Sequence, residues 1–269
     1  MPRITIGDLD DPRLSVFRSL KRTNLTRDGH LFVVEGAKLL DRLRESSYPL
    51  VAAVVSERWE PRIAVPDDVP LYVAPHGLID ELVGFNFHQG VLACGRRMPA
   101  PTLETIVGES GSSTVVVCPN LTNPENLGAI VRIADVFGVD AVIVGPTCPD
   151  PLSRRVVRVS MGTVLRQPVL TTALLGDYVQ FLRDQKFELV ATVLDPSAEP
   201  LSSIRRGDRL ALFLGNENVG LAPEWVARCD RRVTIPMRSG AESLNVAVAA
   251  GVLLYHFTSP AATGTRHGR

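Results

Sequence analysis

Residues 114–145 read TVVVCPNLTNPENLGAIVRIADVFGVDAVIVG, and this stretch decides the fold class. Its opening, TVVVCPNL, is a continuous apolar run of the kind buried on both faces of a parallel sheet. ENLGAIVRIADVFG (125–138) carries helical spacing, and AVIVG (141–145) is a second buried strand. Strand, helix and strand within about 30 residues make the crossover unit that joins parallel strands.

The alternation continues downstream. FELVATVLD (187–195), LALFLG (210–215) and RVTIPM (232–237) read as strands. DPLSRRVVRVSMG (150–162), GDYVQFLRDQK (176–186) and APEWVARC (222–229) read as helical, the last with Pro223 in its first turn. SLNVAVAAGVLLYHF (243–257) is a final helix, apolar almost all round. Such a helix must be covered on most sides, which points to a subunit interface as well as a core. The fold class is α/β, a parallel sheet with helices on both faces.

Upstream lies a smaller α/β domain. LFVVEG (31–36), LVAAVVS (50–56), PLYVAP (70–75) and GVLACG (90–95) are strands, separated in part by the helices AKLLDRLRES (37–46) and HGLIDELVG (76–84). The expected organisation is a basic arm over 1–30 with one short helix near 12–20, a small domain over 31–96, and a linker over 97–113 that can hold a short helix. The large domain then covers 114–259 and a flexible tail 260–269.

Composition narrows the function. The chain has 269 residues, 45% hydrophobic and 22% charged, enough for substantial cores. No apolar run is long enough to cross a membrane, and the start lacks a secretory pattern, so a cytoplasmic protein with no membrane partner is expected. Cys94, Cys118, Cys148 and Cys229 are isolated, which argues against a zinc site or disulfide framework; Cys94 and Cys118 read as buried thiols. Formal net charge is zero, yet basic residues cluster: Arg13, Arg18, Lys21, Arg22 and Arg27; Arg154, Arg155 and Arg158; Arg205, Arg206 and Arg209. Phosphate contact needs local patches, not a basic average.

In open parallel sheets ligands bind beyond the carboxyl ends of the strands. Three segments follow such ends. In NPENLGAIVRIA (123–134), Asn126 sits where an asparagine caps a helix, and Gly128 permits close approach. Arg132 lies about 240° around the helix from Asn126. Flanked by Val131 and Ile133, it needs a partner or a cleft. In LFLGNENVGL (212–221), Gly215 lets backbone meet a ligand, and Glu217 sits where strand-end carboxylates touch ribose hydroxyls; a tight turn explains the same residues equally well. In IPMRSGAESLNVAVAAG (235–251), Ser243 is placed to cap the last helix. No glycine-rich dinucleotide fingerprint, P-loop, nucleophile elbow or metal-ligand spacing is present, which makes an oxidoreductase improbable.

These three segments resemble, in order and wording, motifs one to three of the SpoU/TrmH family of SPOUT RNA 2′-O-ribose methyltransferases. LFVVEGAKLL and HQGVLA (88–93) resemble hallmarks of that family's ribosomal-protein-like RNA-binding domain. The resemblance implies a C-terminal trefoil knot, S-adenosyl-L-methionine as methyl donor without a metal, a homodimer with its site at the interface, and RNA as substrate. Ribosomal RNA is favoured over tRNA because tRNA relatives often lack the HQG domain. Carried over, Gly215, Ile235 and Leu244 hold the cofactor with Met237 nearby. Arg132 is the reactive arginine, with Asn126, Glu217, Ser243 and Asn245 as polar companions. The motif departs from the family at Asn218, where glycine is usual. Arg18, Lys21, Arg22 and Arg27 are candidates for phosphate contact. The competing reading, an RNA-binding module that has lost catalysis, is disfavoured by the intact polar set.

Overall fold

The computed structural model describes residues 3–18, 30–84, 87–238 and 243–258. The chain forms two compact units, Met1–Pro99 with Leu152–Arg166, and Ala100–Pro151 with Gln167–Arg269. Lys21, Arg22, Arg27 and the tail expected over 260–269 lie outside the described residues.

In the first unit the strands are β1 (Arg3–Thr5), β2 (Leu31–Glu35), β3 (Leu50–Ser56), β4 (Leu71–Ala74) and β5 (Val91–Arg96), with helices α1 (Ala37–Arg44) and α2 (His76–Val83). Among the described residues they make one sheet in the order β1-β4-β3-β5-β2. β1, β4 and β3 run parallel, and β5 is antiparallel to both β3 and β2. The leucines expected to face inward on α1, Leu39, Leu40 and Leu43, are buried.

Residues 3–18 differ from the expected arm. β1 pairs with β4, and a 3-10 turn at Pro12–Phe17 drives Leu14 and Phe17 into the core beside Leu92 and Cys94. The arm's arginines drew attention, whereas two buried apolar side chains fix its position. Arg18 is engaged within this segment: its guanidinium donates to the carbonyls of Leu9 and Asp11 and pairs with Asp10 at 3.1 Å.

The two N-terminal hallmarks meet each other. Gly36 N–H donates to Val91 O at 2.7 Å, and a Cβ on Gly36 would lie 1.8 Å from Gln89 Oε1. Gly36 has φ +93° and ψ 153°, a region open essentially to glycine alone. The EG and HQG signatures therefore describe one junction between β2 and β5.

The second unit contains α3 (Leu103–Val107), β6 (Ser113–Cys118), α4 (Pro124–Val136) and β7 (Ala141–Val144). Helix α5 (Arg154–Val159) comes next in sequence but belongs to the first unit. The second unit resumes with β8 (Val169–Thr171), α6 (Leu175–Asp184), β9 (Glu188–Thr192), β10 (Glu199–Pro200), β11 (Arg209–Phe213), α7 (Pro223–Val226), β12 (Arg231–Thr234) and α8 (Val246–Thr258). Among the described residues its sheet is parallel throughout, ordered β10-β12-β9-β11-β6-β7-β8. The apolar run at 114–118 is wholly buried in the middle of it, as its composition requires. Helices α4 and α8 pack against each other. No helix among the described residues is long and apolar enough to cross a membrane.

The placement of 152–166 corrects the expected boundary, which put this stretch in the large domain. The Glu35 side chain, 3% exposed at the end of β2, pairs with Arg154 and lies 3.8 Å from Arg158. A Cβ on Gly162 would touch Leu39 and Arg42 of α1. A buried carboxylate needs countercharge, and the arginines of α5 supply it. Replacing Gly36 by alanine is expected to destabilise the protein by about 1–3 kcal/mol, because the backbone geometry itself is forbidden to alanine. Chemical denaturation checks this, and adding Gln89→Ala to relieve the side-chain clash should leave most of the loss in place.

Candidate active site

The strand order reverses between β6 and β11, so the loops leaving these neighbours diverge and open a crevice. The loop after β11 fills it. Gly215 lies two residues past the strand, and a Cβ there would lie 2.4 Å from Leu221 N, so only glycine allows the chain to fold back. Asn216 and Gly220 then bond reciprocally, at 2.8 and 3.0 Å, and pinch the loop shut. Gly220 takes φ +71°, whereas Asn218 keeps a negative φ. The departure from the family motif at Asn218 thus falls where no left-handed backbone is required.

The pinched loop delivers Glu217 to the segment after β6. One carboxylate oxygen accepts from Thr122 N and Oγ1 at 3.3 and 3.1 Å. The other accepts from Asn123 N at 3.2 Å and Asn126 Nδ2 at 2.9 Å. Asn126 Oδ1 in turn accepts from Asn245 Nδ2 at 2.9 Å. Asn245 Oδ1 accepts from Ala247 N and Val248 N at 2.9 and 3.4 Å, capping α8. All three motifs are joined in one polar chain.

Two capping assignments change accordingly. Asn123, not Asn126, caps α4, its Oδ1 accepting from Glu125 N at 2.8 Å. Asn245, not Ser243, caps α8. Burial opposes ionisation of Glu217, but the hydrogen bonds from Asn126, Thr122 and Asn123 together outweigh it and hold its carboxyl below the ordinary value.

Beside this chain lies a hollow of about 650 Å³. Its walls come from Thr192–Leu194 at the end of β9, the pinched loop from Gly215 to Leu221, Ile235 and Met237 after β12, and Ser243–Val246 with Ala249 at the start of α8. Gly215, Ile235, Met237 and Leu244 all line it, as do Glu217, Ser243 and Asn245. Thr192, Val193 and Leu194 went unnoticed in the sequence. The rule that found the other segments applies to them too, since FELVATVLD ends at the same edge of the sheet. Size, an apolar lining and a few polar groups suit a small organic ligand.

Arg132 is not among the lining residues. It is exposed on α4, while Asn126 on the same helix is buried. Among the described residues no group of three His, Cys, Asp or Glu side chains is placed to hold a metal.

Comparison with known proteins now supplies the family. A family model described as the SpoU rRNA Methylase family matches residues 113–255. The chain belongs to that family. An uncharacterized tRNA/rRNA methyltransferase of Mycobacterium bovis is 36% identical, the match covering 94% of this chain and 91% of that protein. A 23S rRNA (guanosine-2′-O-)-methyltransferase of Acinetobacter baylyi is 30% identical over 72% of this chain and 79% of its own length. The AdoMet-bound rRNA methyltransferase of Sinorhizobium meliloti superposes with a TM-score of 0.82 at 25% identity, covering 94% of this chain and 97% of that one. The family implied by the three motifs is thus the family found, and the chain is an RNA methyltransferase of the SPOUT α/β class.

Glu217→Gln is expected to cost about 1–3 kcal/mol at neutral pH, because an amide cannot accept from every donor that the carboxylate serves. The pH dependence follows from the lowered carboxyl. Its stabilising contribution is present above the ordinary value of 4.5 and is lost as pH falls through the lower folded value. Between about pH 6 and about pH 3 the wild type should lose more stability than Glu217→Gln. Parallel losses in urea titrations across that range contradict the assigned hydrogen bonds.

Proposed function

We propose that the hollow seats S-adenosyl-L-methionine and that the enzyme transfers its methyl group to a ribose 2′-oxygen of ribosomal RNA. The carrying observation is the convergence of Gly215, Ile235, Met237 and Leu244 on one cavity of suitable size. Backbone groups and apolar walls suit an adenosyl moiety, and the exposed hydroxyl of Ser243 suits a sugar group. When bound, this cofactor supplies a methyl already activated by the sulfonium charge.

The chain must do the rest: exclude water, orient the ribose and manage the proton of a poor nucleophile. Asn126 bonds to both Glu217 and Asn245, so the part of these three is to hold the loops in place. Ser243 lines the hollow and is exposed, so its hydroxyl is the companion available to the sugar. Arg132 brings a planar guanidinium with several N–H donors. Its role is to grip the neighbouring phosphate and stabilise charge developing on the 2′-oxygen.

Arg132 reaches that position in a homodimer, each protomer's arginine serving the other's hollow. The support is an apolar face that a single chain leaves uncovered. Val248, Val252 and Tyr255, at 53, 40 and 66% exposure, fall at i, i+4 and i+7 on α8. Tyr255 packs edge-on against Phe137 just beyond α4, and exposed Val136 lies one turn from Arg132. The arginine is therefore on the face that a second copy covers. The C-terminal knot belongs to the same reading, as does a cytoplasmic location beside ribosomal RNA. RNA selection falls to the first unit, with Lys21, Arg22 and Arg27 as phosphate contacts; Arg18 is already engaged by its own loop.

Arg132→Ala should reduce methyl transfer by about 10²–10³-fold while S-adenosylmethionine affinity stays within about twofold. Near-normal turnover in that variant refutes the assignment. Val252→Glu places a charge in the apolar face and should shift sedimentation to the monomer, with transfer lost and the fold retained. A variant that stays dimeric and active removes this face from the interface.

A further inference from the structure

The sheet of the second unit has another edge, where its strands begin. A cleft of about 590 Å³ lies there, lined by Lys186, Glu188, Arg205, Arg206, Asp208 and Arg209. Strands of this length separate it from the cofactor hollow by about 15 Å. Four cations face two carboxylates, in a protein whose formal net charge is zero.

Most of the compensating groups are already in use. Glu188 accepts from Arg231 Nη1 at 3.1 Å and from Gly207 N at 3.3 Å. Arg206 donates to Thr114 Oγ1 at 2.6 Å and Ser113 O at 3.0 Å, tying the loop before β11 to the start of β6. The Asp208 carboxylate is exposed and has no hydrogen-bonded or ion-paired partner among the described residues, one negative charge against the cations that remain.

That leaves Lys186, Arg205 and Arg209. Lys186 and Arg205 are exposed, and their side chains make no hydrogen bond or ion pair among the described residues. Arg209 is only 8% exposed. Its guanidinium stacks 4.5 Å over the Phe187 ring and donates from Nη2 to Gly108 O at 3.1 Å. Its Nε and Nη1 are buried without an acceptor. A buried guanidinium with no carboxylate against it is costly, and an anion in the cleft supplies the missing charge.

We propose that this cleft is a second phosphate site, which holds the RNA backbone several nucleotides away from the reacting ribose. The inference rests on the reading of the chain as an RNA enzyme, and it adds where a remote stretch of that RNA is anchored. A phosphodiester fits because its oxygens accept from guanidinium and ammonium donors and its charge offsets the excess. Binding releases counterions, so the site carries a salt signature.

The test uses the full chain and a short mixed-sequence RNA stem-loop, with affinity measured across a salt series. In Lys186→Glu/Arg205→Glu the log–log salt slope should fall by about 2, with affinity reduced roughly tenfold or more at moderate salt. S-adenosylmethionine affinity should not change. Arg209→Met, which keeps an unbranched chain over Phe187, should remain folded and lower the slope by about 1. An unchanged slope in the double variant, or an equal fall in the charge-matched Arg228→Glu/Arg232→Glu, overturns the proposal. So does inorganic phosphate that raises the melting midpoint of the wild type alone while RNA slopes stay equal, for the cleft then takes free anion. If the wild type binds no RNA at all, the RNA-enzyme reading fails instead.

Discussion

The hydrogen-bonded chain from Glu217 through Asn126 to Asn245 is the constraint on which the active site depends. It has a fixed direction. An ionised carboxylate can only accept, so Asn126 must aim its amide nitrogen at Glu217 and its oxygen the other way. That oxygen can only receive a donor, so Asn245 presents its nitrogen there and its oxygen to the first N–H groups of α8. One carboxylate thus sets the orientation of two amides and the entry angle of a helix. Near the start of α4, the same carboxylate sits where the helix dipole favours negative charge.

This rigidity matters because the hollow proposed for the cofactor is built from backbone and apolar surface more than from side-chain hooks. A pocket of that kind recognises its ligand by shape, and shape is lost if the loops move. The polar chain holds the loops after β6 and β11 and the start of α8 together. Close approach at Gly215 brings Gly220 and Leu221 against it in the wall of the pocket. Around it, Leu194, Val219 and Leu244 expose large apolar side chains, a rim that remains incompletely covered in the single chain. Arg132 stands outside this framework on an exposed helix face, so the pocket and the cation proposed to serve it are separate constructions.

The central strands were legible because burial on both faces forces long apolar runs, as at 114–118 and 210–213. Edge strands β1, β8 and β10 went unread. They have two or three residues and one hydrogen-bonded neighbour, which leaves no periodicity to detect. The grouping of Gly215, Ile235, Met237 and Leu244 around one hollow was legible through motif order, yet the helix caps were displaced by three residues at α4 and by two at α8. Local pattern favours any Asn or Ser near a helix start, whereas the side chain that caps is decided by what the others bind. Asn126 was drawn away by Glu217, 91 residues distant in sequence. Segment 152–166 was misplaced for a similar reason: its helical spacing is visible, but the buried Glu35 that holds Arg154 is 119 residues away.

The arginines show why charge clusters in a sequence overstate and also misplace polyanion binding. Arg18 holds carbonyl groups of its own loop, Arg206 ties its loop to the start of β6, and Arg154 pairs with a buried carboxylate. Each contributes to a basic cluster when counted, and each is neutralised or locked when folded. Other cations keep no partner among the described residues, Arg132 on α4 and Lys186 and Arg205 at the far edge of the sheet among them. A protein with zero formal charge can therefore engage RNA at particular points while most of its basic residues serve the fold. Electrostatic attraction of that kind acts at short range and is readily screened, which favours register and orientation of the RNA over bulk affinity.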